Sequence, residues 1–235
     1  MKTVRVGDSV LINGDCINIL ESMNPESVDL CVTDPPYLIS YETNMREKTE
    51  ENKLLTTEID GDSDPDLIRR FFPRLFRVMK MDTASFVFCR RDVEPFFRQQ
   101  AVDAGFEWKG TIVWTKDKQT GGDLKGEFGR KYEDILFLHK GRFIIRGKRH
   151  SDVWPESTIH ASKMIHPNQK PLGLFSKAVL SGSDEGDVTL DCFGGSGALA
   201  IVSNQLVRKS LVIEKDEERF NVMVNHVREQ STSLF

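Results

Sequence analysis

Asp34-Pro35-Pro36-Tyr37 follows the apolar run Val28–Thr33 and has the clearest chemical content of any short stretch in the chain. Two consecutive prolines cannot extend a sheet ladder, so they end the strand and stiffen the backbone behind it. A carboxylate and an aromatic ring are then held in fixed relation at a strand's C-terminal end, where open α/β sheets place their ligands. Taken alone, the same four residues also read as a strand terminator with Tyr37 packed inward. Far downstream, an apolar run enters Asp191-Cys192-Phe193-Gly194-Gly195-Ser196-Gly197 and continues into a helical pattern. Glycines allow positive φ and let backbone N–H groups approach a ligand closely, although any tight strand-to-helix turn also needs them. The next apolar run ends at Glu214, about 20 residues beyond the loop, where an acid accepts from both ribose hydroxyls of a nucleoside. The GxGxxG pattern is absent, which disfavours a dinucleotide.

These residues need a scaffold that brings strand ends together. Short apolar runs alternate with amphipathic stretches, the pattern of a mostly parallel sheet covered by helices on both faces. Seven strands are predicted, at Ser9–Asn13, Val28–Thr33, Ala84–Cys89, Gly110–Thr115, Asp134–His139, Asp187–Cys192 and Ser210–Glu214. Helical spacing of apolar residues occupies Cys16–Met23, Leu67–Met79, Val93–Ala104, Leu172–Ser181, Gly197–Val207 and Glu217–Glu229. The polar and acidic stretch within 38–66 has few large apolar side chains to offset the entropy of ordering and reads as a mobile loop. Its length, directly after a motif, favours a functional loop over a connector. A second, Gly-rich loop is predicted over Gln119–Lys131.

The chain has 235 residues, 39% hydrophobic and 29% charged, which suits one soluble globular domain over 1–235. No apolar run approaches the roughly 18 residues of a membrane helix, and the N-terminus lacks the apolar stretch of an export signal, so a cytoplasmic protein with no membrane association is expected. Cys16, Cys31, Cys89 and Cys192 form no CxxC pair and read as buried thiols, with no metal site. The net charge of −4 excludes coating of nucleic acid by bulk positive charge. It conceals an uneven distribution: residues 1–115 carry 14 Lys/Arg and 20 Asp/Glu, residues 116–171 carry 12 and 7, and residues 172–235 carry 6 and 9. The basic middle segment leaves room for a local polyanion-facing surface.

Asp34-Pro35-Pro36-Tyr37, the Phe193–Gly197 loop and His166-Pro167-Asn168-Gln169-Lys170-Pro171 together resemble the S-adenosylmethionine-dependent DNA amino-methyltransferases. Their order is similar to the permuted β-type arrangement, with the catalytic tetrapeptide first and the cofactor loop last. Gly14-Asp15, Ser85–Cys89, Ile112–Lys116 and Glu133–Leu138 match further family segments, so the resemblance covers nearly the whole chain. It implies a Rossmann-like methyltransferase fold, a seven-stranded mostly parallel sheet with one antiparallel strand. It also implies a cofactor site of Asp15, Asp34, Lys170, Asp191, Phe193, Gly194, Gly195, Ser196, Gly197 and Glu214, with Glu214 on the ribose, Asp15 near the adenosine and Asp191 holding the loop. Asp34, Pro35, Pro36 and Tyr37 become the catalytic set. Segment 140–165 occupies the family's target-recognition position, with Arg142, Arg146, Lys148 and Arg149 expected on double-stranded DNA. That segment is short, so the 38–66 loop or a second subunit of a homodimer is expected to add contacts.

The implied chemistry explains the residue types. An exocyclic base amine is a poor nucleophile because its lone pair is delocalised into the ring. Asp34 and the Pro35 carbonyl accept its two hydrogens and stabilise the developing positive charge, and in-line attack on the methyl group is then mainly a matter of positioning. A duplex buries that amine, so the base must flip out, with Tyr37 stacking on it. Asp in first position fits adenine N6 better than cytosine N4, where Ser is more usual, and cytosine N4 stays as the alternative. A protein or RNA amide methyltransferase is disfavoured by the motif order, and a non-catalytic DNA-binding remnant by the intact site residues.

Overall fold

The computed structural model describes residues 2–37, 64–120, 125–126, 128–160, 162, 164–166 and 168–232. Nine strands form a single sheet: β1 (Lys2–Val6), β2 (Ser9–Asn13), β3 (Val28–Thr33), β4 (Met79–Cys89), β5 (Glu107–Thr120), β6 (Arg130–Lys140), β7 (Val153–Pro155), β8 (Val188–Asp191) and β9 (Lys209–Glu214). Their order across the sheet is β1-β2-β9-β8-β3-β4-β6-β5-β7. The block β2, β9, β8, β3 and β4 is parallel throughout. β6 runs antiparallel to both of its neighbours, so β5 and β7 again point the same way as β4.

All seven expected strands are present, and two more extend the edges. β1 pairs antiparallel with β2 and is mostly exposed, with Lys2 and Arg5 on an edge where charge discourages further pairing. β7 has only three residues, too few for period-2 alternation to register. The single reversed strand expected is β6, with the edge strand β1 as a second.

Alternation along the strands sends side chains into two cores. Leu30, Val32, Phe86 and Phe88 face one side, against α4 (Leu172–Gly182), α5 (Ala198–Gln205) and α6 (Glu217–Thr232). Cys31, Val87, Cys89 and Leu190 face the other, against α1 (Cys16–Ser22), α2 (Pro65–Val78) and α3 (Glu94–Asp103). All four cysteines are buried free thiols. Among the described residues no helix is long and apolar enough to cross a membrane.

Two loop boundaries differ from expectation. The acidic stretch does not run to residue 66: Asp64 caps α2 by accepting from Asp66 N–H at 2.9 Å, and Pro65 takes the first helical position, where its missing N–H costs nothing. Residues 38–63, the rest of that loop, lie outside the described residues. The Gly-rich loop is shorter at both ends than Gln119–Lys131, because β5 continues through Thr120 and β6 begins at Arg130; residues 121–124 and 127 lie outside the described residues.

Candidate active site

The C-terminal ends of β2, β9, β8, β3 and β4 share one sheet edge with the N-terminal end of the reversed β6. Asp15, Glu214, Asp191, Asp34 and Glu133 therefore converge there, although they lie far apart in the chain. Thr33 stitches the centre: its Oγ1 donates to Asp191 Oδ1 at 2.7 Å and accepts from Cys192 N–H at 3.1 Å. Asp191 Oδ1 also accepts from Phe193 N–H at 3.0 Å, so one carboxylate ties the glycine loop to β3.

The loop needs its glycines for separate reasons. A Cβ on Gly194 would lie 2.7 Å from Val212 Cγ1 and 3.1 Å from the Ile213 carbonyl oxygen, which accepts from Gly194 N–H at 2.7 Å. Gly197 has φ +79 and caps α5, where a Cβ would come within 2.5 Å of Val227 Cγ2. Gly195 N–H donates to Glu214 Oε2 and Asp216 N–H to Glu214 Oε1, each at 3.0 Å. Each Glu214 oxygen thus keeps a free lone pair for a diol. Asp15 caps α1, accepting from Ile17 N–H at 2.9 Å.

A cavity over this edge is lined by Asp15, Asp34, Pro35, Pro36, Tyr37, Lys170, Asp191, Phe193, Gly194, Gly195, Ser196 and Glu214. Every catalytic and cofactor residue expected from the sequence is in that wall except Gly197, which turns away toward α6 and serves the helix cap instead. Carboxylates outnumber cations in the lining, an environment suited to a sulfonium and an ammonium rather than to a diphosphate. With the glycine cradle and the lone pairs of Glu214, the residues fit a sulfonium nucleoside.

The catalytic turn sits in a buried charged cluster. Tyr37 Oη donates to Asp34 Oδ1 at 2.6 Å, and Lys170 Nζ donates to Asp34 Oδ2 at 2.7 Å. Lys170, expected on the cofactor side, lines the cavity and also sends its ammonium to Asp34, because the segment before α4 brings it in over the Tyr37 ring, 5.0 Å from the centroid. Burial pushes the Asp34 carboxyl above its usual range, against the pull of Lys170. Burial alone would lower Lys170, but Asp34 and Glu133 outweigh it and raise its ammonium above the usual value. Burial also raises Asp191 to about 7 and takes His166, which faces Gly195, down to about 3, with Arg219 and Lys170 contributing.

The basic residues lie elsewhere. β6 is reversed, so the chain leaving it arrives at the opposite edge of the sheet. Arg142 N–H donates to Asp82 Oδ1 at 2.8 Å near the start of β4, and Arg146 pairs with Asp184 at 2.9 Å beyond the end of α4. Lys148 and Arg149 are exposed on the stretch that returns from Arg146 to β7, where Asp152 O accepts from Val113 N–H at 2.8 Å. Of the four residues expected on DNA, Arg142 and Arg146 thus sit at the edge opposite the one on which Asp34 opens. Sequence reasoning missed Glu133, His166 and Arg219 as site residues. Glu133 was legible only as the start of a strand, and its place in the site follows from that strand's direction.

The fold and the cavity define an α/β protein that holds a nucleoside cofactor beside a buried carboxylate. Residues 28–225 match the model of the N6/N4 methyltransferase family, described as DNA methylase, and the chain belongs to that family. It is 26% identical over 235 residues to the type II methyltransferase M.HpaI of Haemophilus parainfluenzae, covering 90% of this chain and 71% of that one. It is 27% identical over 246 residues to the DNA adenine methyltransferase YhdJ of Escherichia coli K12, covering 88% and 79%. Its fold is similar to M1.HpyAVI in complex with S-adenosylmethionine (TM-score 0.71, 19% identity, 92% of this chain and 98% of that one). It is also similar to the cytosine-N4-specific PvuII methyltransferase (TM-score 0.73, 15% identity, 99% and 95%). The protein is a DNA methyltransferase of the N6-adenine/N4-cytosine family, and S-adenosylmethionine is its cofactor.

Proposed function

We propose that the protein methylates the exocyclic N6 amine of adenine in double-stranded DNA after flipping the base from the stack. The observation that carries this reading is the buried Asp34 carboxylate, fixed behind two prolines on the wall of the glycine-loop cavity. When bound, S-adenosylmethionine supplies an electrophilic methyl group on a sulfonium. Gly194, Gly195 and Ser196 flank its methionine part, Glu214 takes the ribose hydroxyls and Asp15 the adenosine side. Asp34 accepts one hydrogen of the target amine and the Pro35 carbonyl the other, favouring a pyramidal nitrogen and stabilising its growing positive charge. Tyr37 supplies the aromatic platform for the base.

DNA approaches the edge that carries Asp34. The β5–β6 hairpin overhangs that edge: β4 ends at Cys89, level with Val113 and Asp134, and β5 continues to Thr120. Exposed Lys118 and Lys131 on its two strands offer phosphate contacts, and Phe128, 98% exposed, projects near its tip. These residues take the DNA-facing role that the sequence assigned to 140–165. The 38–66 loop and a second subunit remain further sources of contact; a monomer that methylates a defined duplex site would remove the need for the second.

Incubation with unmethylated duplex DNA and methyl-labelled S-adenosylmethionine, followed by digestion to nucleosides, tests the reading. N6-methyladenine is expected, whereas N4-methylcytosine would keep the mechanism and overturn the base assignment.

A further inference from the structure

Glu133 heads a strand segment to which the sequence assigned no chemical part, yet it shares its donors with Asp34. Its Oε2 lies 3.2 Å from Tyr37 Oη and 3.4 Å from Lys170 Nζ. These two groups also occupy Asp34, at 2.6 and 2.7 Å. Lys116 Nζ holds the other oxygen, Oε1, at 2.5 Å and anchors Glu133 from the β5 side. Two partly buried carboxylates, two ammonium groups and one phenol thus form a cluster with no net charge.

Resting on the methyl-transfer reading above, we infer that Glu133 is a positioning residue that draws Tyr37 and Lys170 toward itself when the target amine claims one oxygen of Asp34. The amine needs Asp34 as its acceptor, and each Asp34 oxygen already receives one close donor, at 2.6 and 2.7 Å, that draws on the same electron density. Lys170 and Tyr37 are themselves buried, so a phenol or ammonium drawn from Asp34 needs another acceptor; Lys170 also reaches the Asn168 carbonyl at 3.4 Å, and Glu133 is an acceptor that both donors share. A shift of less than about an ångström converts its two long contacts into full hydrogen bonds. Lys116 keeps it in place without competing for Oε2. Without the second carboxylate, Lys170 and Tyr37 stay fully on Asp34 and weaken it as the acceptor that the amine requires.

Glu133→Gln preserves the side chain's shape and removes its charge. Steady-state kinetics with methyl-labelled S-adenosylmethionine and duplex DNA should show kcat reduced at least about 10-fold, while the Kd for S-adenosylmethionine, which also reports folding, is unchanged. The pH profile separates positioning from a structural role. Asp34 is faced by Lys170 from the segment before α4, Tyr37 from its own turn, Glu133 from β6, Asp191 from β8 and the Cys89 thiol from β4. Glu133 is faced in addition by Lys116 from β5 and Asp134 from β6. Removing the Glu133 charge leaves Lys170 unshared and takes a repelling charge from Asp34, so the acid limb of kcat moves to lower pH. Glu133→Asp, which restores charge at shorter reach, should recover part of kcat and return the limb, and it serves as the test if the glutamine variant fails to fold. Wild-type kcat and an unmoved acid limb in these variants, with wild-type protein active and Asp34→Ala inactive, would overturn the inference alone. A wild-type protein that labels no DNA would instead overturn the methyl-transfer reading and the inference with it.

Discussion

At Asp34 the reaction asks for an ionised acceptor in a place where burial opposes ionisation. Lys170 resolves the conflict from one side and the Tyr37 hydroxyl from the other. Asp34→Ala should therefore abolish methyl transfer while leaving the far-ultraviolet circular dichroism spectrum and cofactor binding in place; substantial residual transfer would reject Asp34 as the amine acceptor. In the proposed function, Glu214 is the corresponding residue for the cofactor. Its truncation removes the ribose acceptor and also frees Gly195 N–H, so Glu214→Ala should weaken S-adenosylmethionine binding by about 10-fold or more in titration calorimetry, the scale of one or two hydrogen bonds to a charged group. Asp34, Tyr37 and Glu214 were legible in the sequence because each ends an apolar run or stands beside a special backbone residue. The lysine that meets Asp34, 136 positions away, was legible as a motif member but not as its ion-pair partner. Spacing along a chain says nothing of which strand ends become neighbours.

At the scale of elements, the glycine loop and β6 do the positioning. Gly197→Ala would put a Cβ 2.5 Å from Val227 in a left-handed backbone, so it should lower unfolding stability by about 1–3 kcal/mol in urea titration. A wild-type midpoint would show that the α5–α6 packing yields. All the interior strands were readable as apolar runs, while the edges were not: β1 carries charge and β7 is very short. That one strand is reversed was readable only through the family resemblance, and that the strand is β6 sends Arg142 and Arg146 to the far edge. DNA affinity should consequently fall on replacing Lys118 and Lys131 by alanine and stay near wild type on replacing Arg142. The opposite ranking in a binding titration would return the DNA to the far edge. Phosphate contacts should also make affinity fall steeply with added salt.

For the whole molecule, burial of histidine links stability to acid. Burial holds His139, packed against Phe137 and Phe143, at about 4, and His166 at about 3. Both sit below the unfolded value of about 6.5. The folded state therefore binds fewer protons than the unfolded chain in this window, and these groups lose stability as pH falls below about 6.5 toward their folded values. Replacing His139 by leucine should flatten the dependence of unfolding free energy on pH between about 6.5 and 4 by up to one proton; an unchanged slope would place the proton elsewhere. The same sheet that buries these rings gathers the five acidic side chains of the site at one edge, and this convergence makes a methyltransferase of residues scattered from 15 to 214. The most direct test of that account is the identity of the labelled nucleoside after reaction with duplex DNA and methyl-labelled S-adenosylmethionine. The account predicts N6-methyladenine from wild-type protein and no label from Asp34→Ala; label in neither DNA base, from protein shown to bind the cofactor, would contradict it.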